Sequence, residues 1–278
     1  MLIRDWTMEM DGMHLPCQAP CTMYSVLLDH HKIPDPFYGL NERELQHLGE
    51  KDCSFTAVFS VDEALLARDY AELTFRGLDT LCRITLNGKR LDDVKNMHRT
   101  YVYSVRELLK AGENTLRLDF SSPVRYFTEA QRRHYLYMND GDTVPGTAHL
   151  RTAMYQSGWD WGPTLPDMGL FRQVELNAYD TDRLDTVLVS QNHHDGVVDV
   201  TVRAATAHGA GGTLYASLDG KRVAMTEGEA VIRVEHPRLW WVRGYGEQPL
   251  YDLTVELEAD GRLLDRQTRT VGLRTLTV

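Results

Sequence analysis

The 278 residues suit two domains, each long enough to bury its own core. A 42% hydrophobic and 25% charged content is that of an ordinary globular protein. Thirty Lys+Arg against forty Asp+Glu leave a formal charge of −10, which argues against nucleic acid and anionic membrane surfaces as partners.

No apolar run approaches the roughly 20 residues that a transmembrane helix needs. The opening MLIRDWTMEMDG has acids where a secretory signal needs an apolar stretch, so the expected location is the cytoplasm. There Cys17, Cys21, Cys53 and Cys82 are expected as reduced thiols. Cys17 and Cys21 have a spacing zinc could use. No second pair follows, however, and Pro16 and Pro20 imply a stiff extended segment, so neither metal nor cofactor is expected. The pairs His30-His31 and His193-His194 read as solvated loop residues.

The rest is mostly strand. Asn41-Glu42-Arg43-Glu44 is a capping-box pattern and predicts a helix of about two turns ending near Gly49. In SFTAVFSV (54–61), Phe55, Ala57, Phe59 and Val61 alternate with a more polar set, as in a sheet packed on one face. YAELTFRG (70–77) and LCRITL (81–86) follow, and Asn87-Gly88 signals a two-residue hairpin turn. Ser104 with Glu107 repeats the capping box before RELLKAG, where Gly112 can take the left-handed terminating conformation. NTLRLDF (114–120) and FRQVELNAY (171–179) alternate as strands, while VRYFTEAQRRHYLYM after Pro123 is open between helix and loop. After Tyr179 come short strands with turns at Asp219-Gly220 and Asp260-Gly261, a texture that suits an immunoglobulin-like sandwich. The expected fold is therefore all-β: a jelly-roll β-sandwich over 1–180, then an immunoglobulin-like β-sandwich over 181–278.

No phosphate-cradling glycine loop, nucleophile elbow or spaced catalytic pair is present. YQSGWDWGPTLP (155–166) stands apart, with Asp160 between Trp159 and Trp161 and chain bends marked by Gly158 and Gly162-Pro163. In a regular strand the tryptophans share one face and Asp160 takes the other; in an irregular loop all three can turn to one ligand. A carboxylate accepts hydrogen bonds from neighbouring sugar hydroxyls, and an indole offers a flat apolar face to a pyranose ring. Two core tryptophans and an aspartate tying down backbone N–H groups is the competing reading.

GWDWGP, with Arg151 upstream and GLFRQVELNAYD downstream, resembles the end of the sugar-binding domain of β-mannosidases in glycoside hydrolase family 2. LLDHHKIPDPFYGLNERELQHLGEKD (27–52), GLDTLCRITLNGKRL (77–91), NMHRTYVYSV (96–105), SSPVRY (121–126), LWWVRGYGEQPLYDLTVEL (239–257) and VGLRTLTV (271–278) are similar to other parts of the family, in the same order. Cys53 stands where tryptophan is usual, Cys21 where glycine is usual, and Val242 where proline is frequent.

The resemblance implies a galactose-binding-domain-like first sandwich. It also implies a (β/α)8 barrel, following GLRT and absent here, that carries both catalytic glutamates. This chain would then be a non-catalytic piece, inactive alone, whose partners are a mannoside or related oligosaccharide and that barrel. By the same resemblance Asp160 holds hydroxyls of the terminal mannose, with Trp159 and Trp161 shaping the loop and lining the pocket. Trp240, Trp241 and Tyr245 are assigned to the second domain's core or to its barrel interface, and Asn96, His98 and Arg99 to loop fixing. The alternatives are a free-standing carbohydrate-binding module, a β-galactosidase or β-glucuronidase fragment, and an adhesion or scaffold role.

Overall fold

Alternating burial builds both halves of the protein. The computed structural model describes residues 1–137, 144–159, 162–209 and 211–276. Two compact units divide at Met1–Tyr179 and Asp180–Val278. No helix among the described residues is long and apolar enough to cross a membrane.

In chain order the first unit comprises β1 (Asp5–Met10), β2 (Met13–Gln18), β3 (Cys21–Thr22), α1 (Met23–Asp29), α2 (Asn41–Leu45), β4 (Cys53–Val61), α3 (Glu63–Leu66), β5 (Tyr70–Phe75), β6 (Cys82–Leu86), β7 (Lys89–Val94), β8 (Tyr101–Ser104), β9 (Gly112–Phe120), α4 (Pro123–Arg133), β10 (Gly169–Leu170) and β11 (Val174–Tyr179). An antiparallel six-stranded sheet runs β2-β1-β4-β9-β6-β7, and a three-stranded sheet runs β11-β5-β8. The pair β3-β10 forms a short separate ladder. Their apolar faces form one core. Phe55, Ala57, Phe59 and Val61 of β4 point inward as their period of two predicts, and Leu116, Leu118 and Phe120 of β9 join them. Phe55 and Phe120 meet edge to face at 5.7 Å, each burial contributing about 1.5–3 kcal/mol.

Asn87-Gly88 makes the β6–β7 turn, with φ of 50° and 80°. Buried Asn114 braces it: its Oδ1 accepts from Asn87 Nδ2 at 2.8 Å, and its own amide donates to the Lys110 and Gly112 carbonyls. Gly112 is left-handed at φ 81°, but it opens β9 and does not end a helix.

Local signals erred where another partner was available. The helix at 41 is one α-turn followed by a 3-10 stretch, Gln46–Glu50. Its capping box does not form, because Asn41 lies inside the helix and donates its amide to the Asp35 carbonyl. Ser104 stays in the β8 ladder opposite Glu72, leaving only a 3-10 turn at Arg106–Leu108. The segment after Pro123 is helical as far as Arg133 and not over 134–137, with Ser122 Oγ accepting from Arg125 N at its start. The β1–β2 hairpin turns at Asp11-Gly12, and α1 opens on a Thr22/Ser25 capping box; neither was anticipated.

The second unit holds β12 (Leu184–His194), β13 (Val197–Thr206), β14 (Thr213–Leu218), β15 (Lys221–Ala224), β16 (Glu229–Glu235), β17 (Tyr251–Ala259) and β18 (Arg262–Val271). They form antiparallel sheets ordered β12-β13-β16 and β15-β14-β17-β18. A division of three and four strands is that of an immunoglobulin-like sandwich. Val198, Val200 and Val202 of β13 and Leu253, Val255 and Leu257 of β17 fill its core. His193 and His194 end β12 and are not loop residues; His194 Nε2 lies 2.7 Å from Asp199 Oδ2. Trp240 is half-buried, with its main-chain N–H donating to the Leu273 carbonyl and Arg274 over its ring. Trp241 and Tyr245 are 50% and 81% exposed, so neither is core.

Gly169 has φ 149°, and an added Cβ would lie 2.7 Å from the Cys21 carbonyl oxygen and from Thr22 Cα, both backbone. Gly169→Ala is expected to cost about 1–3 kcal/mol. Gly88→Ala, left-handed but in open space, should cost only about 1 kcal/mol. Urea denaturation of the two variants compares them; equal losses would mean that the β3–β10 contact is not tight.

Candidate functional site

A buried carboxylate must find donors, and Asp79 finds them on the segment that carries GWDWGP. Asp79 is 1% exposed. Its Oδ1 accepts from Thr152 Oγ1 at 2.8 Å and its Oδ2 from Gln156 Nε2 at 2.5 Å. Its backbone exchanges two hydrogen bonds with Gly169, at 2.9 and 2.8 Å. One residue thus grips the segment before and after the motif. Burial raises the Asp79 pKa, while the bonds from Gln156 and Thr152 pull it down.

Between these grips the chain closes on itself. A bridge joins Ser157 and Thr164, and Leu165 N donates to the Gln156 carbonyl at 2.8 Å. Gly162 N donates to the Gly158 carbonyl at 2.7 Å. Gly158 has φ 98° and Trp159 φ 49°. A left-handed residue at 159 breaks a regular strand, so of the two readings of GWDWGP the irregular loop is the one found at the described residues. Trp159 is half-buried. Asp160 and Trp161 lie outside the described residues.

Further contacts hold the loop from outside. Thr164 N donates to Glu42 Oε1 of α2 at 2.7 Å. Met97 N donates to the Arg151 carbonyl, and Asn96 bridges Arg151. Asn96 Oδ1 accepts from His98 N at 2.9 Å and the Asn96 carbonyl from Tyr101 Oη, while Arg99 lies over the Tyr101 ring. These are bonds that shape the loop. Beyond the motif, Asp167 accepts from Met168 N at 2.8 Å and Tyr24 N at 3.3 Å, tying the loop's exit to α1. The residue as a whole is only half-buried, but its carboxyl is enclosed.

Phe37, Tyr38 and Leu40 on the approach to α2, together with Tyr155, are 65–77% exposed. They offer flat apolar faces close to the loop in sequence or through Glu42. Grooves of about 640 and 440 Å³ lie elsewhere, one along α4 between Tyr126, His134 and His149, the other about Glu9, Asp52 and Arg117. Among the described residues no three His, Cys, Asp or Glu side chains are grouped to hold a metal.

Asp79, Glu42, Thr152, Gln156 and Asp167 escaped the linear reading. Asp79 had one usable signal, an acid set between Leu78 and Leu81 at a strand's approach. Glu42, Thr152 and Gln156 had none for these roles, because the partners that matter, Thr164 and Asp79, are 73 to 122 residues away.

Burial pushes the Asp167 pKa from its ordinary 3.8 up to about 7, against the bonds from Thr22, Met168 and Tyr24. A carboxyl with a higher pKa folded than unfolded holds its proton more tightly in the native state. Its contribution to stability is full below about pH 4 and is lost as pH rises through about 7. Asp167→Asn, which cannot ionise, is expected to lessen the fall in Tm between pH 5 and pH 8. Parallel Tm–pH curves for wild type and variant would refute this.

Residues 6–172 match the family described as glycosyl hydrolase 2 galactose-binding domain-like, and residues 172–274 match glycosyl hydrolases family 2. The β-mannosidase B of Emericella nidulans is 30% identical over 279 residues, covering 94% of this chain and 32% of that protein. The β-D-mannosidase structure from Dictyoglomus thermophilum superposes with a TM-score of 0.87 at 27% identity, covering 99% of this chain and 36% of that one. A Ruminococcus gnavus β-glucuronidase, covering 100% of this chain and 44% of its own, reaches a TM-score of 0.66 at 15% identity, a likeness of fold alone. This chain spans about a third of the length of the β-mannosidases it matches. With consecutive matches over both units, the chain belongs to glycosyl hydrolase family 2.

Proposed function

We propose that this chain supplies one wall of the terminal-sugar site of a β-mannosidase, presented to a catalytic (β/α)8 barrel on the same polypeptide. The observation that carries this reading is the pair of hydrogen-bonded flanks of GWDWGP: Asp79 holds Thr152 and Gln156 before the motif and Gly169 after it, and Trp159 is left-handed, unlike a residue of a packing strand. Such flanks hold a carboxylate and indoles ready for a sugar, so little ordering entropy is lost on binding. Asp160 takes hydroxyls of the mannose away from the bond being cut, and Trp159 and Trp161 shape the loop beside it. Exposed Phe37, Tyr38 and Tyr155 suit a surface that a further domain covers. Mannose is preferred to glucuronate because likeness to the β-mannosidases extends to 27–30% identity, against 15% for the glucuronidase.

Retaining hydrolysis needs two carboxyl groups about 5–5.5 Å apart, and in this reading both come from the barrel. Residues 1–278 alone are expected to leave an aryl β-mannoside uncleaved, while the same residues continuous with the barrel cleave it. Turnover by residues 1–278 alone would overturn the reading. In the longer protein, Asp160→Ala is expected to lower kcat/KM about 10- to 100-fold, the loss of one or two charge-assisted hydrogen bonds. An unchanged kcat/KM would remove Asp160 from the site. Half a pocket binds weakly, so titration calorimetry on residues 1–278 should find a mannose Kd of about 1 mM or weaker. Micromolar binding abolished by Asp160→Ala would favour a free-standing carbohydrate-binding module.

A further inference from the structure

The four cysteines are not equivalent. Cys53 and Cys82 are buried at 5% and 3% exposure in the core, on β4 and β6. Cys17 is half-buried near the end of β2, on the edge of the six-stranded sheet, and Cys21 is buried at the start of β3. The chain turns back at Ala19-Pro20, bringing the Cys21 thiol to donate to Cys17 Sγ at 3.7 Å. All four are free thiols. A disulfide needs its sulfurs about 2.05 Å apart, so oxidation must draw the two in from 3.7 Å.

We propose that Cys17 and Cys21 are a disulfide-forming site, oxidised by a low-molecular-weight disulfide. Cys17, the more accessible, attacks first. Its thiolate bonds to one sulfur of the reagent, the reagent's S–S bond breaks, and one small thiolate leaves. Cys21 then loses its proton to solvent and attacks the Cys17 sulfur, expelling the second small thiolate. Two protein thiols are oxidised, one small disulfide is reduced to two thiols, and both protein protons pass to water. The difference between the two sulfurs supports this order: the bond from Cys21 lowers the Cys17 pKa, whereas its own thiol is raised by that bond and by burial. Cys53 and Cys82 lie in the core, away from the reagent, and burial raises their pKa as well. The bridge joins β2 to the β3–β10 ladder, whose Gly169 is held by Asp79 at the exit of the 155–166 loop.

The test is equilibration of the folded chain with oxidised glutathione, acid quench, alkylation, and peptide mapping by mass spectrometry. The expected product has lost about 2 Da, carries two alkylated cysteines, Cys53 and Cys82, and yields one cross-linked peptide joining Cys17 to Cys21. Cys21→Ser should stop at a glutathionyl adduct on Cys17, and Cys17→Ser should give neither bridge nor adduct. Four alkylated cysteines, a lasting Cys17 adduct in the wild type, or a bridge to Cys53 would each overturn the proposal. Mapping of the wild type decides the matter even where a variant folds poorly.

Discussion

A carboxylate taken out of water is tolerated only where donors replace the lost solvent, and Asp79 is where this protein meets that demand. The donors come from Thr152 and Gln156, and the backbone of Asp79 pairs with Gly169. The loop carrying GWDWGP is therefore set by the needs of a buried acid in the sandwich more than by any preference of its own residues. Glu42 and Asp167 extend the same principle, each accepting a main-chain N–H that the loop or its exit would otherwise leave unmet.

The first sandwich gives that constraint its frame. Inward-facing residues of β4 and β9 form a continuous apolar layer, and bonds between antiparallel neighbours leave few of its positions free to shift. Sugar recognition benefits from such stiffness, since a pyranose presents several hydroxyls at fixed angles. In the proposed function, a family 2 chain covering a third of its β-mannosidase relatives preforms one side of a pocket in this way. The same frame brings Cys17 and Cys21 together, because β2 and β3 join different sheets through a turn of two residues.

Local signals were legible in proportion to how little competition they faced. The alternation in 54–61 and the turn at Asn87-Gly88 held, for their partners are adjacent strands. The capping boxes at Asn41 and Ser104 failed because each residue found another bond, Asn41 with Asp35 and Ser104 within a ladder. Helix α1 was hidden for the opposite reason. Its seven residues are short for a stable helix alone and gain their helical state from the burial of Met23, Tyr24, Val26 and Leu27 in the core and from contact with Asp167, which is remote in sequence. Of the residues proposed for the sugar site, Trp159 and its glycines were legible as a bend, while the choice between strand and loop rested on a left-handed φ that no residue count discloses.

The sequence by itself determined the all-β class, the inward face of 54–61, the turns at Asn87-Gly88, Asp219-Gly220 and Asp260-Gly261, and the family, because period-two patterning, Asn-Gly and Asp-Gly turns and ordered motifs are local properties. The tertiary structure alone decided which donors reach Asp79, how the 155–166 loop is gripped, and that two thiols share an edge. A carboxylate and a hydroxyl 73 residues apart meet only when the sheets stack, and stacking is a property of the whole packed core.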